Sequence, residues 1–426
     1  MRVLVIGGGA REHALCWAVS RSPLLSKLYC APGNGGTAAV AENVALDPLD
    51  AAACADWAAE QAIDLTIVGP ENALAEGVAD AISARGLRVF GPSAAAARIE
   101  SSKAFAKRLM VAANVPTPPA DIFDNYDEAI QYLDRYEAEG NDYPLIIKAD
   151  GLAAGKGVVK AENGDEARAT LNDFMVRRIL GDAGTTVLIE ECLTGIELSL
   201  FSLCDGERVY PLTPACDYKR AFDGDTGANT GGMGAYSPPA FATPELLARI
   251  EATIVRPVVA ALAAQGSPFR GLLYAGLMVN DDGPHVIEFN ARFGDPETQV
   301  VLPRLESDLL ELCAATTDGT LDRVPAPVWS NEAACGVVVA VQGYPGAYAK
   351  GMPIAGLDTL DPDILAFHAG TARQPDGQLV TTGGRVLTLV ARGATVGAAR
   401  ARVYANIGRV HFEGARWRSD IAAREG

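Results

Sequence analysis

Four short apolar runs in the first hundred residues constrain the fold more than any other feature. Val3 to Ile6, Leu28 to Cys30, Leu65 to Val68 and Leu87 to Phe90 alternate with stretches of helical pattern. Strands separated by helices pair in parallel, so the runs predict an N-terminal parallel, Rossmann-like sheet. Three of them end in Gly7, Gly69-Pro70 and Gly91-Pro92. Tight loops therefore stand at the carboxyl ends of the strands, the edge where such sheets bind ligands.

A chain of 426 residues is too long for one core, so further domains must follow. From Pro144 to about Pro214 the pattern turns β-rich, with a helical stretch near 165 to 180, and the fold class shifts to α+β. Helical pattern covers 243 to 263, two strands follow at Leu272 to Asn280 and His285 to Asn290, and helix resumes near Ser307. After Val324-Pro325-Ala326-Pro327 a new β-rich unit begins. The net charge of −17 disfavours nucleic acid and anionic membrane, so any bound phosphate needs a local cradle. The eight dispersed cysteines read as reduced core thiols, no zinc spacing is present, and no segment approaches 18 apolar residues. With too short an apolar start for a signal peptide, a cytoplasmic protein is expected.

Gly7-Gly8-Gly9-Ala10-Arg11-Glu12 lies between a strand and a helix, the setting of a phosphate site at a helix N-terminus. Glu12 stands where a dinucleotide fingerprint needs its third glycine, so a mononucleotide-sized phosphate is favoured, with Gly9 and Arg11 beside it. Two more strand-end loops, at Gly33-Asn34 and Pro70-Glu71, should converge there, with Asn34 on the phosphate and Glu71 on ribose hydroxyls. Lys148 to Val159 is a glycine-rich hairpin without Walker spacing. Lys148 on its strand and Lys156, between Gly155 and Gly157, can neutralise polyphosphate. Glu190-Glu191 at the end of an apolar strand suits an adenosine hinge. In His285 to Arg292 the two-residue period puts Glu288, Asn290 and Arg292 on one face and Ile287 and Phe289 on the other. Glu288 and Asn290 suit Mg²⁺, and Arg292 an anionic oxygen. Each motif also has a plainer reading: a packing turn, solvated lysines, solvated acidic residues, a surface ion pair.

Taken together, Arg11-Glu12-His13-Ala14, Ala31 to Asn34, Thr66 to Glu71, Lys148 to Val158, Asn229 to Pro238, Tyr274 to Met278 and Glu288 to Glu297 resemble the phosphoribosylamine–glycine ligase (glycinamide ribonucleotide synthetase) family of ATP-grasp enzymes. The resemblance covers nearly the whole chain. It implies a sugar-phosphate-binding N-domain at 1–103, an ATP-grasp domain at 104–325 with a lid over roughly 120–192, and a C-terminal domain at 326–426. It implies ligation of glycine to 5-phosphoribosylamine with ATP and Mg²⁺ or Mn²⁺ through a glycyl phosphate, in purine synthesis. The expected partners are these small molecules, without nucleic acid or membrane, and a monomer is expected. Lys103, Lys148 and Lys156, with Gly155 and Gly157, would hold the ATP phosphates, and Glu190, Glu191, Leu193 and Glu197 the adenosine. Glu288 and Asn290 would bind the metal. Arg292, with Gly294 and Asp295, would steady the glycyl phosphate, and Asp217 would receive the glycine amine. Tyr218, where the family usually has His, and Ala228, where it has Pro, depart from the pattern. A bicarbonate-using ATP-grasp ligase is the nearest alternative; the 217–235 loop and the Gly294-Asp295-Pro296-Glu297 turn argue against it.

Overall fold

The computed structural model describes residues 1–153 and 155–425. The first five strands, β1 Arg2–Gly7, β2 Lys27–Pro32, β3 Glu42–Asn43, β4 Leu65–Val68 and β5 Val89–Phe90, form a parallel sheet in the order β3-β2-β1-β4-β5. Gly7 pairs with Pro32 and Ile6 with Val68, so the three glycine loops do leave the sheet side by side.

The next four strands, β6 Ala120–Phe123, β7 Leu145–Ala149, β8 Val158–Ala161 and β9 Val187–Glu191, make an antiparallel sheet in the order β6-β9-β7-β8. Helices Tyr126–Ala138 and Gly164–Leu171 accompany it, each started by an asparagine, Asn125 or Asn163, whose side chain accepts from a first-turn N–H. Ala129, Leu133, Leu145, Ile147 and Ile189 belong to a core separate from the rest of the molecule. A unit with its own core can move as one body, as a lid must.

Beyond it, β10 Ile196–Asp205 and β11 Val209–Pro211 begin the central sheet. Short strands β12 Cys216–Asp217, β13 Arg220–Phe222, β14 Thr226–Asn229 and β15 Gly234–Ser237 intervene before β16 Arg270–Asn280 and β17 Gly283–Asn290 complete it. Its order is β11-β10-β16-β17. The last sheet gathers β18 Ala333–Val341, β19 Leu365–His368 and β22 Arg385–Gly393, with β20 Thr371–Arg373 and β21 Leu379–Thr381 as a separate ribbon and β23 Ala415–Arg416 beside β18. It also takes β12 and β15 from before the Pro-rich segment, in the order β12-β15-β18-β22-β19. The 217–235 loop is thus stitched directly to the C-terminal unit.

One expectation fails locally. Gly276 pairs with Glu288 and Leu277 with Val286, so Ile287 is the extra residue of a β-bulge. Val286, not Ile287, shares the buried face with Phe289, and Ile287 is only half-buried. Helical structure after Gly164 also ends at Val176, short of 180, where the chain turns at Arg178. Among the described residues no helix is long and apolar enough to cross a membrane. All eight cysteines are free; seven are buried and Cys192 is half-buried.

Candidate active site

Glu288 sits where β17 leaves the bulge. Gly276 opposite it has no room for a Cβ, which would lie 2.9 Å from Glu288 Cγ, so the glycine opens the space for this carboxylate. Burial pushes the Glu288 carboxyl up, but Lys219, Lys148, Lys103 and Arg292 outweigh it and hold the group below its ordinary range. Asn290 lies two residues along the same strand, half-buried. A charged carboxylate and an amide oxygen on one strand face fit a hard divalent ion that completes its shell with substrate oxygens. Among the described residues no group of three His, Cys, Asp or Glu side chains is placed to hold a metal ion.

The hairpin between β7 and β8 brings the lysines to this strand. Lys148 Nζ donates to the bulge carbonyl of Ile287 at 2.7 Å and pairs with Glu190 at 2.7 Å. Lys103 Nζ donates to Gly151 O at 3.2 Å, and burial lowers its pKa. Gly155 and Lys156 are exposed at the hairpin tip, and a Cβ on Gly155 would lie 3.5 Å from Thr230 O, so the tip faces the 217–235 loop. Gly157 is buried, Glu191 exposed and Leu193 half-buried at the exit from the lid. Glu190 departs from expectation: it is fully enclosed, held between Lys148 and Lys107, the latter at 3.2 Å. Glu197 instead pairs with Lys219 at 2.5 Å.

Asp217 lies beside the same lysine, at 3.6 Å. Burial, opposed by Lys219 and reinforced by Glu297, Glu197 and Glu288, pushes its carboxyl up to about 8. Glu297 is likewise raised by burial and accepts from Ser199 Oγ at 3.3 Å. Asp217, Glu197 and Glu297 outnumber the one ammonium of Lys219 here and leave this pocket short of positive charge. It is suited to a cationic ligand group.

Arg292 reaches the other way. Its guanidinium bonds Glu71 at 3.2 Å and Glu100 at 3.0 Å and donates to Phe293 O at 3.2 Å. Glu100 also accepts from the Ala291 N–H at 2.7 Å; burial takes its carboxyl to about 7. Burial would raise Glu71 too, yet Arg292 and Arg11 outweigh it and bring it to about 2. Arg11 does not face open space as expected: it is buried against Glu12 at 2.6 Å, Glu71 at 3.7 Å and Phe293 O at 3.2 Å. Its guanidinium joins the first loop to the β17 turn.

A cleft of about 400 Å³ opens beside this network, lined by Gly8, Gly9, Gly33, Asn34, Asp295, Gly370, Thr371, Thr382 and Arg385 among others. Gly9 and Asn34 face it, but their polar groups already have partners. The Gly9 N–H donates to Glu12 Oε2 at 2.6 Å. Asn34 Nδ2 donates to the carbonyls of Gly8, Gly9 and His368, while its Oδ1 accepts from Gly36 and Thr37. Arg11 and Glu71 are not among the lining residues. The cation there is Arg385, paired with Asp295 at 2.6 Å. Gly294 accepts the Thr298 hydroxyl behind it. Arg385, Lys107, Lys219, Glu100 and Glu297 were not singled out from the sequence, because each earns its place through a partner far away in the chain.

Family models for the phosphoribosylglycinamide synthetase N domain, ATP-grasp (A) domain and C domain match residues 1–100, 101–298 and 334–424. The chain belongs to the phosphoribosylglycinamide synthetase family. It is 49% identical to a phosphoribosylamine–glycine ligase of Halalkalibacterium halodurans over 100% of this chain and 97% of that one. It is 47% identical to one from an Escherichia coli strain, over 100% and 98%. A crystal structure of phosphoribosylamine–glycine ligase from Thermotoga maritima superposes with a TM-score of 0.83 at 32% identity, covering 99% of this chain and all of that one. The biotin carboxylase domain of a Hydrogenobacter thermophilus 2-oxoglutarate carboxylase, solved with MgADP and bicarbonate, shares the fold at a TM-score of 0.74 and 17% identity, over 97% and 91%. In this chain the departure at Tyr218 has a structural use. Its hydroxyl accepts the Ala422 N–H at 3.0 Å and Arg418 lies over its ring, fastening the C-terminal segment to the 217–235 loop.

Proposed function

We propose that the chain ligates glycine to 5-phospho-D-ribosylamine, giving glycinamide ribonucleotide, ADP and phosphate, in the second step of purine synthesis. The observation that carries this reading is the stretch Glu288-Phe289-Asn290-Ala291-Arg292, the end of β17 and the two residues after it. It joins a lysine-rich hairpin, a carboxylate-rich pocket and a three-domain cleft, one region for each substrate.

ATP lies under the hairpin, its phosphates near Lys103, Lys148 and Lys156 with the Gly155 and Gly157 backbone, its adenosine at Glu190, Glu191 and Leu193. Glu288 and Asn290 would hold Mg²⁺ or Mn²⁺, which would supply charge neutralisation for the polyphosphate. The glycine ammonium enters the pocket of Asp217, whose buried carboxyl lies beside Lys219. A glycine carboxylate oxygen then attacks the γ-phosphorus and ADP leaves, producing an acyl phosphate. The amine of phosphoribosylamine attacks the acyl carbon, phosphate departs and the nitrogen loses a proton. Arg292 stabilises the anionic oxygens of the acyl phosphate, with the Gly294-Asp295 turn beside it. The sugar phosphate occupies the cleft, where Arg385 supplies the positive charge and Gly9 and Asn34 the wall. Arg11 and Glu71 keep that wall in register with Arg292 rather than binding the ligand.

A monomer is the proposed working unit. Its free thiols suit the reducing cytoplasm. The test is ADP release with phosphoribosylamine and either glycine or bicarbonate. Release that needs glycine is expected; release that needs bicarbonate and ignores glycine would overturn the reading.

A further inference from the structure

Lys107 is a buried lysine that none of the steps above uses. It lies on the helix Lys103–Ala112 of the central body, outside the lid. Its ammonium makes three contacts, and they fall on the two places where the chain crosses into and out of the lid. On the entry segment it donates to Thr117 Oγ1 at 2.7 Å and to Pro118 O at 2.8 Å. On the exit segment it pairs with Glu190 Oε1 at 3.2 Å. The crossings are tied to each other by the Glu191 N–H, which donates to Pro119 O at 3.1 Å. They are tied to the core by Thr117 Oγ1, which donates to Val286 O at 2.9 Å, and by the Val286 N–H on Pro116 O at 2.8 Å.

The second oxygen of Glu190 holds Lys148, a lysine proposed above to meet the ATP phosphates. A triphosphate competes for that ammonium. A buried carboxylate stripped of its only counter-ion is costly, so Glu190 without a further partner would be displaced, and the exit strand with it. Lys107 removes that conflict because it is a second partner, buried beneath the two crossings.

We infer that Lys107 is a positioning residue for ATP: it keeps Glu190 paired and both lid crossings seated when the nucleotide draws Lys148 away. The inference rests on the hairpin and hinge being the ATP site. Lys107→Met keeps the stem and removes the charge. The expected result is an ATP KM raised about tenfold or more, with the glycine and phosphoribosylamine KM values within about twofold of the parent, and partial recovery in Lys107→Arg. A folded Lys107→Met enzyme with an unchanged ATP KM, or with all three KM values raised alike, would overturn it. Thr117→Val leaves every charge in place and carries the same test if Lys107→Met does not fold. An ATP KM raised about threefold is expected, and an unchanged one counts against the inference. A parent enzyme whose turnover does not depend on ATP would defeat the underlying site reading instead, so the two failures are distinguishable.

Discussion

His13 Nδ1 accepts the backbone N–H of His368 at 2.8 Å, an interaction that only an imidazole unprotonated at that nitrogen can make. Burial, with His368 nearby, lowers the His13 pKa to about 3. The unfolded chain binds this proton below about 6.5 and the folded chain does not, so stability is present above that pH and is lost as pH falls toward 3. His13→Asn offers a side-chain oxygen as acceptor without titrating. Urea unfolding should show the parent losing about 2–3 kcal/mol relative to His13→Asn between pH 7 and pH 4.5; parallel pH profiles would refute the assignment. For Glu288→Ala, Mn²⁺ binding measured by electron paramagnetic resonance with ADP present should weaken by about tenfold or more, since one of two protein oxygens is gone. At this scale the sequence reveals residue type well and partnership poorly. That Glu288 and Asn290 share one strand is readable because their spacing is local. Arg11 is not: a guanidinium beside a glycine loop looks like a phosphate ligand until Glu71 and Phe293 O, both distant in sequence, are brought against it.

Elements were legible wherever their period was long enough to express itself. Four strands of the parallel sheet, β7 and β16 fall where the apolar runs place them, because they are buried, whereas the exposed two-residue β3 carries no apolar run. The bulge at Ile287 was not legible, since it arises from pairing with Gly276 and Leu277 and leaves the composition of the strand unchanged. The two-residue strand β12 and the four-residue strand β15 are too short to carry a pattern and exist by adding to β18. The loop after β2 is fixed by close packing of another kind. A Cβ on Gly36 would lie 2.4 Å from His13 and 2.5 Å from His368. Gly36→Ala should therefore cost about 1–3 kcal/mol in urea unfolding; a variant as stable as the parent would show that the two imidazoles can part freely.

Across the whole molecule, three units meet at one strand. The N-terminal glycine loops reach it through Arg11 and Glu71, the lid through Lys148, and the C-terminal unit through Arg385 on Asp295. The resemblance made the order of units and the chemistry legible. The cleft was only half legible, because its second wall comes from Ala369 to Arg385, a segment with no motif of its own. Arg385→Ala should raise the phosphoribosylamine KM about tenfold while the ATP KM stays within about twofold; the reverse pattern would move the sugar phosphate elsewhere. The central claim is that ATP activates the glycine carboxylate before the amine attacks. Glycine labelled with ¹⁸O in its carboxylate tests it most directly. The account predicts that the released phosphate carries one labelled oxygen from glycine, and phosphate free of label with product still formed would contradict it.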